Sequence, residues 1–522
     1  MGRKILFVTS DQQRYDALGC TAKAGTAVAR TPTLDGLARD GILYHRAHPQ
    51  NVVCMPSRAT MITGQHVRHH GVWMNGVPLP VDAPSVAQVL HDAGYATALV
   101  GKAHFEPFLD PFLRFEENRM AREGRHHNGD GGTGPHRGFD HMDLATHGGQ
   151  GMTHYARWLA AHHPDHVRDY YAVLDAPTLE VNDAPGGETG APQTKVNPIP
   201  RGLYHTDWVA DRAIEWLDSL DADSDWFCWV SFPDPHHPWD PPEDEMRRVD
   251  WRDLDLPENF PTGGSDEIER LLADRPAHWS KWWNGELVSN YEAPAKWVPA
   301  SLTADQVREV NARIHVENEL IDEALGRILR AIDARGWGDD TDVVYTTDHG
   351  ELQGDFGFLF KGPLHVDSLM RLPLIWRPAP SAGVAHADVD APVGLVDLAP
   401  TFCAIAGVPV PEWMDGSALP TSPSATRERV LTEWDSFHPT GVEVHLQTIF
   451  RDGHTCTVYE KGTVHDGTEG ELYDTNDDPL QRVNRWDDPA YRALRDDLVD
   501  DLRASLPPRP DPRSLRRPQA PV

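Results

Sequence analysis

Ile5-Leu6-Phe7-Val8-Thr9-Ser10-Asp11-Gln12-Gln13-Arg14 is a short apolar run that breaks at once into a polar cluster. A run of this kind reads as a strand buried on both faces, followed by a functional loop. Four further runs share the form: Ala96–Val100, Trp226–Val230, Val343–Thr347 and Leu372–Trp376. Helical patterns lie between them. Trp208, Val209, Ile214, Trp216, Leu217 and Leu220 recur at roughly helical spacing. Thr303-Ala304-Asp305-Gln306 has capping-box form and opens a longer helix through Val307, Val310, Ile314, Ile321, Leu325, Ile328 and Ile332. Alternation of strand and helix predicts an α/β fold, a mostly parallel sheet covered by helices on both faces, with ligands bound beyond the strands' carboxyl ends.

Two stretches interrupt the alternation. Residues from about 106 to 200 are rich in Gly, Pro, Asp and His and read as long loops. Residues from about 240 to 300 carry Trp251, Trp279, Trp282, Trp283 and Trp297 among polar neighbours. Insertions of this length serve either as a substrate-shaping rim or oligomer contact, or as plain surface elaboration. Beyond residue 425 the pattern changes to antiparallel strands at Val430–Glu433, Val444–Phe450 and Thr455–Tyr459, then Glu471-Leu472-Tyr473-Asp474 and a helix near Pro489–Leu506 capped by Asp488. The expected organisation is a catalytic domain over 1–425, a smaller α+β domain over 426–506 and a Pro- and Arg-rich tail over 507–522 without fixed structure.

With 522 residues, 39% hydrophobic and 25% charged, the chain can bury a large core. A formal charge of −32 argues against nucleic acid and anionic membranes as partners, while leaving open an anionic small substrate that responds to local charge. No apolar run approaches the roughly eighteen residues of a membrane span, and the run at Ile5–Thr9 is too short for a signal peptide, so a cytoplasmic location is expected. The five cysteines show no CxxC spacing; Cys228 and Cys403 lie in apolar runs and read as core, with no disulfide framework. The chain has only eight lysines, which gives weight to each one inside a motif.

Three motifs carry chemistry. In Cys54-Met55-Pro56-Ser57-Arg58-Ala59-Thr60-Met61-Ile62-Thr63-Gly64, Pro56 suits a helix's first turn and Gly64 its end. Cys54 then stands at a helix N-terminus, where unpaired amides favour anions, and Arg58 one turn on can face the same site. Such a cysteine is either an activated thiol or a buried residue before a helix. Gly101-Lys102-Ala103-His104 ends a strand, and extended geometry would put Lys102 and His104 on one side. Asp11-Gln12 and Asp348-His349-Gly350-Glu351 follow two strands, and paired acidic clusters in corresponding positions favour a divalent cation. Asn75, before Gly76, is either an added hydrogen-bonding group of the pocket or an Asn-Gly turn.

Cys-x-Pro-Ser-Arg followed by Ile62-Thr63-Gly64 resembles the signature of type I sulfatases, members of the alkaline-phosphatase-like superfamily. The resemblance implies that Cys54 is oxidised to formylglycine (3-oxoalanine) by a formylglycine-generating enzyme. One hydroxyl of the hydrated aldehyde would attack sulfur, the other would later expel sulfate, and Arg58 would stabilise the charged diol. The Gly-Lys-x-His element resembles the family's second signature, whose lysine and histidine contact the sulfate and the diol; His104 would take the proton that releases sulfate. The resemblance assigns Asp11, Gln12, Asp348 and His349 as ligands of one divalent ion, with the oxygen derived from Cys54 completing the shell. In Asp234-Pro235-His236-His237-Pro238 it assigns His236, two before the proline. Lys361, in Lys361-Gly362-Pro363, matches the family's second lysine. These two would bind ester oxygens and protonate the leaving group.

The metal pairs depart from the best-known sulfatase pattern, Asp-Asp and Asp-Asn. Gln12 removes a charge and His349 adds nitrogen, so Ca2+, which prefers oxygen, and Mn2+, which accepts imidazole, are both candidates. The same choice resembles phosphonate monoester hydrolases, whereas Lys102 and His104 stand where those enzymes carry hydroxyl residues. The leading expectation is therefore hydrolysis of a small anionic sulfate ester. The alternatives are a phosphonate monoester or phosphodiester hydrolase and, should Cys54 stay unconverted, a non-catalytic anion-binding homologue. A homo-oligomer is compatible with the insertions.

Overall fold

The computed structural model describes residues 3–23, 29–108, 110, 112–121, 132–147, 153–170, 187–287, 298–437 and 442–508. Its centre is strand β1 (Lys4–Ser10), every residue of which is buried. Ile5 and Phe7 enter one core and Leu6 and Val8 the other, so the period-2 alternation of one strand feeds two apolar layers. The first layer holds helices α2 (Cys54–Thr63), α3 (Val86–Asp92) and α7 (Leu398–Ala406). The second holds α1 (Pro32–Asp40), α5 (His205–Ser219) and the 31-residue α6 (Ala304–Ala334). Thr303 and Gln306 form the expected capping box at the start of α6.

The remaining strands of this sheet are β2 (Ile42–Tyr44), β3 (Ala96–Gly101), β4 (His141–Leu144), β5 (Trp226–Ser231), β6 (Thr341–Thr347), β7 (Ile375–Arg377) and β8 (Ala387–Val389). Their order is β4-β3-β5-β1-β6-β7-β2-β8, with only β7 reversed. The fold is thus the expected mixed, mostly parallel sheet between helical layers. Because five neighbouring strands from β4 to β6 run the same way, their carboxyl ends lie side by side and can build one site from five distant parts of the chain.

Strands β9 (Val430–Phe437), β10 (Glu443–Arg451), β11 (His454–Glu460) and β12 (Gly470–Asp474) form an antiparallel sheet in that order. Helix α8 (Arg492–Ser505) covers one face by placing Leu498 and Leu502 on Leu431, Ile449, Cys456 and Leu472. It starts later than expected: the Asp488 carboxylate accepts the Ala490 N–H in a turn before the helix rather than capping it. The sheet's other face shares a core with Trp279, Trp282, Phe356 and Phe358.

Both insertions contain more structure than their composition predicts. Residues 106–200 include β4, the short helix α4 (Glu116–Met120) and a helix at His154–His162, so they are not all loop. Trp279 and Trp282 are buried core residues. Trp297 and positions 509–522 of the expected tail lie outside the described residues. Among the described residues, no helix is long and apolar enough to cross a membrane.

Candidate active site

Cys54 begins α2, as Pro56 and Gly64 predict, and Gly64 closes it in the left-handed conformation (φ 64°). The start is fastened from outside the helix, where the Asn75 Oδ1 accepts the Met55 N–H at 3.0 Å. Asn75 lies in a turn and also supports the helix that begins at Cys54. The Cys54 sulfur is fully buried and lies 3.2 Å from His349 Nε2, 3.3 Å from Lys361 Nζ and 3.8 Å from both Lys102 Nζ and Asp11 Oδ1. Sγ here stands in for the oxygen that formylglycine would carry on Cβ.

Arg58 reaches the same point one turn along α2. Its Nε donates to Asp348 Oδ2 at 2.9 Å, its Nη2 lies 3.5 Å from Asp11 Oδ2, and Nη1 donates to the Lys102 carbonyl and Ser231 Oγ. Burial opposes its charge, but Asp348 and Asp11 outweigh that and hold the guanidinium protonated. Lys102 pairs with Asp11. Burial would raise the Asp11 carboxyl, yet Lys102, His236 and Arg58 hold it well below the usual range, so it is ionised.

The donor set fits a divalent cation. Ligand atoms of Asp11, Cys54, Asp348 and His349 all lie within 4.8 Å of one another. The His349 Nδ1 donates to the Gly350 carbonyl at 2.9 Å, which leaves Nε2 with its lone pair toward the cluster. Burial lowers the pKa of His349 and favours this neutral form. Gln12 Oε1 accepts from Lys361 Nζ at 2.8 Å, while Gln12 Nε2 meets Glu351 and His237 Nδ1 (3.2 Å). Glu351 and His237 thus turn the Gln12 amide so that its oxygen faces the cations. Burial pushes the Glu351 carboxyl up to about 7.

Lys361 bridges Cys54 and His236, whose Nε2 lies 2.9 Å from Nζ. The His236 Nδ1 donates to the His237 carbonyl, so Nε2 is the acceptor. Burial and Lys361 depress its pKa well below normal. Of the histidine pair, His236 therefore faces Lys361 and Cys54, and His237 faces the Gln12 amide.

Lys102 and His104 do not continue β3 in extended geometry. Gly101 has φ 110°, and a Cβ there would collide with the Ser231 carbonyl, which accepts the Lys102 N–H at 2.8 Å. His104 is left-handed as well (φ 57°). The two side chains nevertheless share a wall: the His104 ring meets Phe108 edge-on at 4.7 Å, and Lys102 Nζ lies 6.0 Å from the same ring.

Four contributors escape sequence reasoning. Glu351 stands inside a quoted motif without an assigned task, and Ser231 ends a strand as a bare hydroxyl. Glu117 sits in a stretch that reads as loop. His147, just past β4, stacks on His236 with centroids 4.3 Å apart, and its surroundings of Gly and His give no periodic signal.

The strand order, the helices on both faces and a buried metal-ligand cluster ringed by cations at the strand ends are those of alkaline-phosphatase-like hydrolases, with a formylglycine-type centre at Cys54. Within that class the chain belongs to the sulfatase family, whose profile (Sulfatase) matches residues 3–408. A second profile, N-sulphoglucosamine sulphohydrolase, C-terminal, matches residues 354–506. The chain is 25% identical over 504 residues to an uncharacterized sulfatase, YidJ, of Escherichia coli K12, covering 95% of this chain and 86% of that protein. It is 25% identical over 525 residues to an arylsulfatase of Clostridium perfringens, covering 96% and 95%. The crystal structure of the phosphonate monoester hydrolase of Agrobacterium radiobacter superimposes with a TM-score of 0.74 at 25% identity, covering 96% of this chain and 95% of that one.

Proposed function

We propose that the protein hydrolyses small sulfate monoesters with a nucleophile made from Cys54, after maturation by a formylglycine-generating enzyme. The observation that carries this reading is the convergence on Cys54 Sγ of His349, Lys361, Lys102 and Asp11. Asp11, Gln12, Asp348 and His349 would hold one divalent ion beside the oxidised residue. The ion supplies Lewis acidity there, and the oxidised residue supplies oxygen in place of sulfur.

The chain's own groups divide the remaining work. Arg58 pairs with Asp348 and Asp11, and with Lys102 and His236 it holds the Asp11 carboxyl well below its usual range. Lys102 and Lys361 flank the nucleophile and gather the equatorial oxygens of a tetrahedral anion. Lys361 and His236 form a hydrogen-bonded pair that passes a proton to the leaving oxygen. His104, on the Lys102 wall, receives the proton when sulfate departs.

A second reading, hydrolysis of phosphonate monoesters or phosphodiesters, draws support from Gln12 and His349 among the residues that would hold the ion and from the superposition on the Agrobacterium enzyme. Lys102 and His104 favour sulfate, since an ammonium beside an imidazole suits the three oxygens of a sulfate monoester. Mass spectrometry of the Cys54 peptide, from protein co-expressed with a formylglycine-generating enzyme, tests the nucleophile. Paired assays on an aryl sulfate and a phenyl phosphonate ester then separate the readings. An unmodified, inactive Cys54 removes both, and faster phosphonate turnover reverses their order.

A further inference from the structure

Beyond Gly101 the chain must place the Lys102 and His104 side chains through a turn it does not favour. A left-handed backbone at a residue with a side chain, such as His104, persists only where its surroundings over-determine it. The restraint comes from α4. The two oxygens of Glu117 accept the N–H of His104 (3.1 Å) and of Phe105 (2.9 Å), one each. The Glu117 N–H donates in return to Glu106 Oε2 at 3.1 Å. Arg137 holds the other Glu106 oxygen at 3.0 Å, and Asn118 Nδ2 donates to the Phe108 carbonyl at 2.6 Å. Residues 104–108 are thereby stitched to residues 117 and 118 along their length.

The cluster of Glu106, Glu117 and His136 has the composition of a cation site, but Arg137 fills the cation's place beside Glu106, and the Glu117 oxygens are spent on N–H groups. Glu117 is nearly inaccessible, at 3% exposure. Two consecutive N–H groups converging on the oxygens of one carboxyl group fix the backbone that carries them. The residue it fixes carries the imidazole that stands with Lys102 against Phe108.

We propose that Glu117 is a positioning residue for His104: by accepting the N–H groups of His104 and Phe105 it holds the left-handed turn from which the imidazole projects. The inference rests on the reading in which His104 acts on the reacting group. A shift of about 1 Å in a catalytic side chain lowers rates by as much as about a hundredfold, which sets the expected scale.

The test is kinetic, on matured, metal-loaded protein with an aryl sulfate, and with kcat normalised to formylglycine content. Glu117→Ala should lower kcat by about ten- to a hundredfold with KM within about threefold. Glu117→Gln, which keeps one acceptor oxygen and the shape, should retain more. His104→Ala should be slow, and adding Glu117→Ala to it should slow it no further, because the positioned group is gone. If Glu117→Ala does not fold, the same cycle run with Glu117→Gln decides. Wild-type kcat in both Glu117 variants beside a slow His104→Ala, or losses that multiply in the double variant, overturn the inference alone. A fully active His104→Ala overturns the role of His104 itself.

Discussion

Replacing Arg58 by Met keeps a long unbranched side chain and removes one charge from a fully buried position. The guanidinium touches Asp348 at 2.9 Å, Asp11 at 3.5 Å, the Lys102 carbonyl at 2.7 Å and Ser231 Oγ at 2.8 Å. Ser231 keeps a partner in Thr9 Oγ1, 3.0 Å away, so its loss is small. The two carboxylates lose their shared cation, and stripping one partner from a buried ion pair costs about 3–5 kcal/mol. Arg58→Met should therefore lose about that much stability in chelator, read by denaturant unfolding. A divalent ion neutralises the same carboxylates, so saturating Mn2+ or Ca2+ should narrow the gap to wild type. Turnover of an aryl sulfate should stay at least about a hundredfold down, because charge stabilisation at the proposed nucleophile is missing. A loss under about 1 kcal/mol in chelator, or a gap that widens with metal, would refute the view that Arg58 exists to balance Asp11 and Asp348.

Gly101→Ala should destabilise by more than about 1 kcal/mol and slow turnover through Lys102, since both φ and the Ser231 carbonyl exclude a Cβ; an unchanged unfolding midpoint would contradict this. Glu351→Gln should weaken metal affinity about 10- to 100-fold, measured calorimetrically, by freeing the Gln12 amide to turn; an unchanged affinity removes the orienting role. Burial and the neighbouring Glu106 push the Glu117 carboxyl up to about 8, above its unfolded value. The folded state therefore holds the extra proton, and this contribution to stability is present below about pH 4.5 and lost as pH rises toward about 8. Glu117→Gln should flatten that part of the profile; unfolding midpoints that fall with pH as steeply as in wild type would count against it.

The long parallel strands were legible because they are buried on both faces, and continuous apolar runs such as Ile5–Val8 have few other uses. The short strands β2, β4 and β8, of three or four residues, carry too little periodicity to stand out. Leu372–Trp376 is apolar as expected, but only Ile375 and Trp376 of it join the sheet, in the reversed strand β7. Within the site, contiguous motifs announced Cys54, Arg58 and the paired acidic clusters. The structure brings Asp11, Cys54, Asp348 and His349 together from three segments. What stayed hidden acts through geometry that a linear pattern does not encode. Extended alternation placed Lys102 and His104 side by side for the wrong reason: the chain turns left-handed, and Phe108 and Glu117 restore a common wall. His147 was invisible because stacking on His236 is a consequence of β4 lying next to β3 in the sheet.

The same geometry explains how a chain with a net charge of −32 can receive an anion. Long-range attraction is unfavourable, and salt screens it beyond about 8–10 Å. Recognition must then be local. Around Cys54 the buried cations Arg58, Lys102 and Lys361 face two acidic side chains, Asp11 and Asp348, which are committed to Arg58, Lys102 and the metal position. A divalent ion in the cluster would add two further positive charges at the one point where ester oxygens would dock. Metal occupancy would therefore strengthen the pocket's attraction for an anion as well as supply its chemistry. It follows that inorganic sulfate, a product-like anion, should bind the metal-loaded protein far more tightly than the chelated one. Equal affinity in calorimetry with and without metal would place anion recognition on the lysines alone.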